Sequence, residues 1–233
     1  MPTLYLIPTL LADDTAAQVL PPHIREVLEK TDAYFVENVR SARRFISGLK
    51  TTRVIDETTF FELDKDTLPA DTRRQIQELM ERKRNAGVLS EAGCPGVADP
   101  GAVIVSMAHT LGWRVEPLVG PSSILLALMA SGLNGQSFVF HGYLPIEKAD
   151  RAKAIRFLEK EAQQRIQTQI FIETPYRNDA MFADIIANCE PNTRLCVASN
   201  LTAPDAFVRT LSIREWKSQV PELRKKPTVF LLL

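Results

Sequence analysis

Apolar residues along this chain fall into short, nearly continuous runs separated by longer stretches in which they recur every three or four positions. That rhythm predicts buried strands joined by amphipathic helices, the pattern of a parallel α/β sheet. Thr3 to Ile7 reads as a first strand broken by Pro8, followed by a loop over Thr9 to Asp14 and a helix from about Pro21 to Lys30, where proline suits a first turn. Ala33 to Glu37 predicts a second strand, and Ser41 opens a basic amphipathic helix carrying Arg43, Arg44, Phe45 and Leu49. Val54-Ile55 and Phe60-Phe61 are weaker strand candidates. Ala70 to Asn85 sets Ile76, Leu79 and Met80 at helical spacing, with Gly87 as its stop. A strand ending in Val88-Leu89, a helix from Gly101 to Leu111 and a strand from Trp113 to Leu118 follow. Gly120-Pro121-Ser122-Ser123 then opens a very apolar helix, Ile124 to Met129.

The second half keeps the alternation but changes its character. Strands are expected at Phe138 to His141, Ile170 to Glu173, Leu195 to Ser199 and Val229 to Leu233, and helices at Ala149 to Gln163 and Asn178 to Ala187. Phe207 to Leu211 suits an antiparallel strand. All ten glycines lie between Gly48 and Gly142, so the later part of the chain is built without them. This shift places a domain boundary near Gly120: residues 1–119 as an N-terminal α/β domain and residues 120–233 as a second α/β domain. The apolar run at the end is expected inside the second sheet.

Composition narrows the chemistry. With 45% apolar residues in 233, the chain buries a full core, and a formal net charge of zero removes any whole-molecule attraction to nucleic acid. An RNA partner would have to be held by a local basic face. Three cysteines, Cys94, Cys189 and Cys196, lack paired spacing, which argues against a disulfide framework and for a reducing, cytoplasmic compartment. The N-terminal apolar run is short and has no basic start, and no apolar stretch reaches the roughly eighteen residues of a membrane span, so neither export nor membrane spanning is expected. His23, His109 and His141 are scattered, and no P-loop or dinucleotide fingerprint occurs.

What stands out is Leu89-Ser90-Glu91-Ala92-Gly93-Cys94-Pro95-Gly96-Val97-Ala98-Asp99-Pro100-Gly101, where three of the ten glycines fall within nine residues at the end of a strand. Open α/β sheets bind ligands at such places. The loop is either a rigid binding wall or a tight turn. Cys94 suits a small packing residue better than a nucleophile, because no base is in evidence beside it; Glu91 and Asp99 flank the loop as candidate acid/base groups, and Asp99 before Pro100 suits a helix cap at least as well. Basic clusters at Arg40, Arg43 and Arg44, at Arg73 to Arg84, and at Arg224, Lys225 and Lys226 read first as solvated faces, and together leave room for a positive rim. Phe171-Ile172-Glu173-Thr174-Pro175-Tyr176-Arg177 ends another strand in a proline-stiffened loop.

In order, Ile7-Pro8-Thr9, Glu37-Asn38-Val39-Arg40, Ser90 to Gly101, Val119-Gly120-Pro121-Ser122-Ser123, Gly142-Tyr143-Leu144-Pro145 and Ile172 to Arg177 make a set. Over nearly the whole chain this set resembles the tetrapyrrole methylase superfamily, nearest to its small-subunit ribosomal RNA ribose 2′-O-methyltransferase branch. The resemblance implies an S-adenosylmethionine-dependent methyltransferase, usually a homodimer, of two α/β domains. It implies a parallel sheet in the first, a mixed sheet in the second and the cofactor in the cleft between them. It sets the cofactor against Pro8, Ala92, Gly93, Cys94, Val97, Ser122 and Ser123, with Thr174 and the strand end at Ala198 and Ser199 closing it. Glu37 and Arg40 are the expected acceptor-side residues, Glu37 as a hydrogen-bonding carboxylate or base and Arg40 as a contact to a substrate phosphate or carboxylate, with Tyr176 and Arg177 behind them.

The chain also departs from that branch. Glu91 stands where the branch has Asp, Asn38-Val39 where it has Asp-Thr, and Val119 where it has Pro. Ser199-Asn200-Leu201-Thr202-Ala203 replaces Arg-Glu-Leu-Thr-Lys, and Lys225-Lys226-Pro227 replaces Lys-Gly-Glu. Two other readings therefore stand beside ribosomal RNA methylation: a tetrapyrrole, small-molecule or protein acceptor, and a cofactor-binding protein without catalysis.

Overall fold

A computed structural model describes residues 2–63 and 69–233, which form two compact units, Met1–Ser122 and Ser123–Leu233. In chain order unit 1 contains β1 (Thr3–Ile7), α1 (Ala16–Val19), α2 (Pro22–Lys30), β2 (Ala33–Val36), α3 (Val39–Gly48), β3 (Thr59–Glu62), α4 (Pro69–Glu81), β4 (Ala86–Leu89), α5 (Gly101–Thr110) and β5 (Arg114–Pro117). The five strands are all parallel, in the order β3-β2-β4-β1-β5.

Alternation along these strands supplies two apolar faces. Leu4, Phe35 and Val88 pack with Ile76 and Leu79 of α4 and Ile104 of α5. Ile7, Tyr34, Val36 and Leu89 pack on the opposite side with α2 and α3. Because every strand is parallel, the chain leaves all five strands at one carboxyl edge. The chain leaves β1 toward β2 and leaves β4 toward β5, so adjacent strands send their loops in opposite directions. This is the arrangement that opens a ligand crevice in doubly wound sheets.

Three local expectations need correction. Gly87 does not end α4; the chain turns back at Lys83, whose φ is 53°, and Gly87 lies inside β4. A Cβ there would come within 2.6 Å of the Tyr34 ring, so the position admits a buried tyrosine whose hydroxyl donates to Thr31 O at 2.8 Å. The basic helix starts at Val39 rather than Ser41, because Asn38 is its cap and accepts from Ser41 N at 3.0 Å. Ile55 belongs to a single 3₁₀ turn, Ile55–Glu57, rather than a strand.

Unit 2 contains α6 (Ser123–Ser131), β6 (Phe138–Tyr143), α7 (Lys148–Arg165), β7 (Thr168–Glu173), α8 (Asn178–Asn188), β8 (Arg194–Ser199), β9 (Phe207–Ser212), α9 (Ile213–Trp216) and β10 (Thr228–Leu232). Its sheet runs β6-β7-β10-β8-β9 and is mixed: β6 and β7 are parallel, and the other pairs antiparallel. β10 is central, as its continuous apolar sequence requires, and all five of its residues are buried. α6 covers the face of Ile170, Cys196, Ala198, Val229 and Leu231. α7, α8 and α9 cover the other, where Phe171 stacks on Phe230 at 5.7 Å and Phe182 meets Trp216 edge-on at 5.5 Å. Such pairs add about 0.5–1.5 kcal/mol beyond the area they bury. Among the described residues no helix is long and apolar enough to cross a membrane.

Candidate functional site

The carboxyl edge of the parallel sheet gathers residues far apart in sequence. Pro8 and Thr9 follow β1, Glu37 follows β2 and the Ser90 to Pro100 loop follows β4. Thr9 N donates to Gly93 O at 2.9 Å and Thr9 Oγ1 to Ser90 O at 3.2 Å, stitching the β1 end to the loop. Ser90 Oγ donates to Gly93 O at 3.2 Å.

Gly93 has φ of +75°, and a Cβ on it would lie 3.1 Å from Leu11 Cδ2 and 3.3 Å from Pro121 O. The position is thus both left-handed and walled by two other segments. Gly120 is tighter, since a Cβ there would sit 2.3 Å from Pro8 Cβ. Cys94 Sγ donates to Pro121 O at 3.4 Å. Pro8, Gly93, Cys94 and the Gly120-Pro121 turn therefore form one contiguous backbone wall, with Ser122 next along the chain. Ala92 and Val97 are exposed on the loop, and Ser123 begins α6.

Asp99 closes the loop from below. Its Oδ1 accepts from Gly96 N at 2.7 Å and from Gly101 N at 2.8 Å, so it serves the first amide of α5 and the loop together. Burial raises its pKa, and the two amide bonds offset part of the rise. Burial also pushes the Cys94 thiol up, with the Asp99 charge adding to it, which disfavours the thiolate a nucleophile needs.

Glu37 reaches the loop from the other side: its Oε1 accepts Glu91 N at 3.1 Å. Burial raises its pKa, the Glu91 amide lowers it, and the charges of Asp99 and Glu91 raise it further. A half-buried carboxylate with an elevated pKa beside this loop is a proton acceptor poised nearer neutrality than a free one. Arg40 lies at the second position of α3, exposed and without an ion pair among the described residues. A cation at that end of a helix works against the dipole, and an anion held there would reverse the sign. A cavity of 480 Å³ links the loop to α3, lined by Thr9, Ser90 and Glu91 on one side and Ser41, Arg44 and Phe45 on the other.

In unit 2, Thr174 and Ser199 stand at the ends of β7 and β8, on either side of Thr228 of β10. Ser199 is buried, and its Oγ accepts from Thr228 Oγ1 at 3.0 Å. Glu173 Oε1 accepts from Thr174 N and from Arg177 Nη2, each at 2.6 Å. The two segments that depart from the branch pattern meet here. Asn200 N donates to Pro227 O at 2.8 Å, and Asp205 accepts from Asn200 Nδ2 at 2.7 Å and pairs with Lys226 Nζ at 3.2 Å. Lys226, then Asn200, hold the Asp205 carboxyl below its usual range.

Sequence reasoning did not join Thr9 to Gly93 or Asp205 to Lys226, because the partners lie tens of residues apart. The proline before Thr9 was the signal available, since a polar residue just past a strand-ending proline faces the ligand edge.

No family model matches the chain. Curated relatives nonetheless align along it. The ribosomal RNA small subunit methyltransferase I of Vibrio cholerae is 28% identical over 236 residues, 100% of this chain and 77% of that protein. Its namesake from Bacillus subtilis is 31% identical over 181 residues, 76% of this chain and 56% of that protein. The relative from Buchnera aphidicola of Acyrthosiphon pisum is 29% identical over 203 residues, and the match spans 66% of its length. Among solved structures, diphthine synthase superposes with a TM-score of 0.63 at 14% identity, covering 100% of this chain and 90% of that one. The methyltransferase CobJ gives 0.62 at 17%, covering 99% and 92%. Uroporphyrin-III C-methyltransferase from Thermus thermophilus, solved with S-adenosyl homocysteine, gives 0.56 at 16%, covering 99% and 96%. The fold is theirs.

Proposed function

We propose that the chain is a member of the tetrapyrrole methylase superfamily, beside the small-subunit ribosomal RNA methyltransferases, and that it methylates ribosomal RNA at a ribose 2′-hydroxyl. The observation that carries the proposal is the closure of Pro8-Thr9, Ser90 to Gly101 and Gly120-Pro121 into one wall. S-adenosylmethionine fits that wall. An adenosine needs backbone donors and acceptors, and the Gly93 cradle is a place a Cβ would fill. The residues proposed to hold it are those the resemblance implies: Pro8, Ala92, Gly93, Cys94, Val97, Ser122, Ser123, Thr174 and Ser199. Bound there, it supplies an electrophilic methyl group on a sulfonium.

The protein's own work falls on the acceptor. A ribose hydroxyl is a poor nucleophile until its proton is drawn off as the new bond forms. Glu37 takes that proton, its carboxylate oriented by the Glu91 amide. Arg40, with Arg44 one turn further on the same face of α3, holds the neighbouring phosphate. The Asp205–Lys226 pair sets opposite charges beside the segment that stands where the branch has Arg-Glu-Leu-Thr-Lys. The proposal has the protein acting as a homodimer in the cytoplasm.

Two measurements test it. Calorimetric titration with S-adenosylmethionine is expected to show binding at tens of micromolar or tighter, the range of metabolite affinities. Tritiated methyl is expected to pass to RNA from a strain deleted for the gene, and far less to wild-type RNA. Absence of binding would sink the cofactor assignment, and binding without transfer to RNA would move the acceptor to another class.

A further inference from the structure

The carboxyl edge of β6, β7 and β8 in unit 2 carries two exposed tyrosine rings, Tyr143 and Tyr176. β6 pairs in register with β7 as far as Phe140, then slips at Gly142, whose φ is +67°, so that Tyr143 comes beside Ile172. The bulge leaves Tyr143 57% exposed. Tyr176, three residues past the end of β7, is 80% exposed.

The Tyr176 ring is bare, but its backbone is held. Arg177 N donates to Thr174 O at 2.9 Å, Thr174 N donates to the Glu173 carboxylate, and Lys225 N donates to Pro175 O at 3.0 Å. That last bond brings the turn of Arg224, Lys225 and Lys226 against the tyrosine loop. Arg224 and Lys225 are exposed, and neither side chain has a hydrogen bond or ion pair among the described residues. Two acids of the patch are compensated: Glu173 by Arg177 at 2.6 Å and Asp205 by Lys226 at 3.2 Å. Glu222 precedes the cationic turn and Asp179 lies on the first turn of α8.

A rigidly held aromatic face beside two free cations suits an unpaired nucleotide. In a duplex the base faces are already stacked on one another, so a ring can stack only on a base that is free. We propose that this edge of unit 2 is a platform for single-stranded RNA, with Tyr176 stacking on an unpaired base, Arg224 and Lys225 holding flanking phosphates, and Tyr143 supporting an adjoining base. The inference rests on RNA being the methyl acceptor, and it adds that the acceptor is presented in a single-stranded segment.

The test uses the full chain saturated with S-adenosyl homocysteine and a short, unstructured, fluorescein-labelled oligoribonucleotide, alone or annealed to its complement. Anisotropy is expected to show the single strand bound more tightly than the duplex. Tyr176→Ala should weaken binding about five- to a hundredfold, and Tyr176→Phe, which keeps the stacking face, should stay within about threefold of the parent. Replacing Arg224 and Lys225 together by Ala should flatten the salt dependence, lowering the slope of log affinity against log salt by about 1.4. Melting temperature and S-adenosylmethionine affinity, unchanged in Tyr176→Ala, show that the variant is folded. Equal affinity for duplex, or Tyr176→Ala binding like the parent, would overturn the platform. The acceptor reading is checked separately, since parent protein that fails to methylate deletion-strain RNA refutes that reading, while normal transfer with an indifferent Tyr176→Ala refutes the platform alone.

Discussion

The carboxylate of Glu37 accepts the backbone amide of Glu91 at 3.1 Å, so the first residue after β2 is tied to the loop after β4. This joins the proposed proton acceptor to the proposed cofactor wall. Glu37→Gln keeps an oxygen for that amide but cannot take a proton. Methyl transfer is expected to fall by about a hundredfold or more, with S-adenosylmethionine affinity unchanged by calorimetry.

The same residue sets a pH dependence. Burial raises the pKa of Glu37 and of Asp99 above their unfolded values, so the folded state holds these protons more tightly than the unfolded one. Their contribution to stability is therefore fully present below the unfolded values and is lost as pH rises through the raised ones. Glu37→Gln should melt at or above the parent temperature at pH 7, and the gap should close as pH approaches about 4. Transfer by the parent should lose its acid limb above the ordinary carboxylate range. Melting curves and a pH–rate profile check both.

Arg40 is exposed on the first turn of α3, where its charge opposes the helix dipole. Arg40→Ala should stabilise the fold by about 0.3–1 kcal/mol, read by denaturant titration, and impair transfer while sparing cofactor binding. Loss of cofactor binding with transfer rescued at high cofactor would reverse the assigned roles.

Gly120 admits no side chain, because a Cβ would lie 2.3 Å from that of Pro8. Gly120→Ala should cost about 1–3 kcal/mol of stability by overpacking and weaken S-adenosylmethionine binding in parallel. Gly93→Val adds strain at φ of +75° and should abolish binding in any fraction that stays folded.

Arg151 of α7 lies buried against Asp184 of α8, with its Nε and Nη2 donating to one carboxylate oxygen at 2.7 and 2.5 Å and its Nη1 donating to Ile146 O at 2.6 Å. It pins the chain just after Tyr143 to two helices. Arg151→Ala leaves Asp184 buried and unpaired, and should destabilise the protein by about 3–5 kcal/mol in a denaturant titration.

The alternation of apolar runs made most strands and helices legible, and the glycine-rich loop was legible because glycine is scarce elsewhere. Local signals misled where two residues competed for one task. Ser41 looks like a helix cap, yet Asn38 performs the capping and Ser41 supplies the amide. Gly87 looks like a helix stop, yet Lys83 makes the turn and Gly87 makes room for Tyr34. What stayed hidden were contacts across the sheet edge. Thr9 to Gly93 and Asp205 to Lys226 depend on strand order, which sequence spacing does not encode.

The most direct test is where the label goes. RNA from the deletion strain, incubated with the protein and tritiated S-adenosylmethionine, is hydrolysed in alkali, which cannot cleave beside a methylated 2′-oxygen. Tritium in alkali-resistant dinucleotides, absent when wild-type RNA is the acceptor, is the predicted result. Tritium released in mononucleotides, or none incorporated, would contradict ribose methylation.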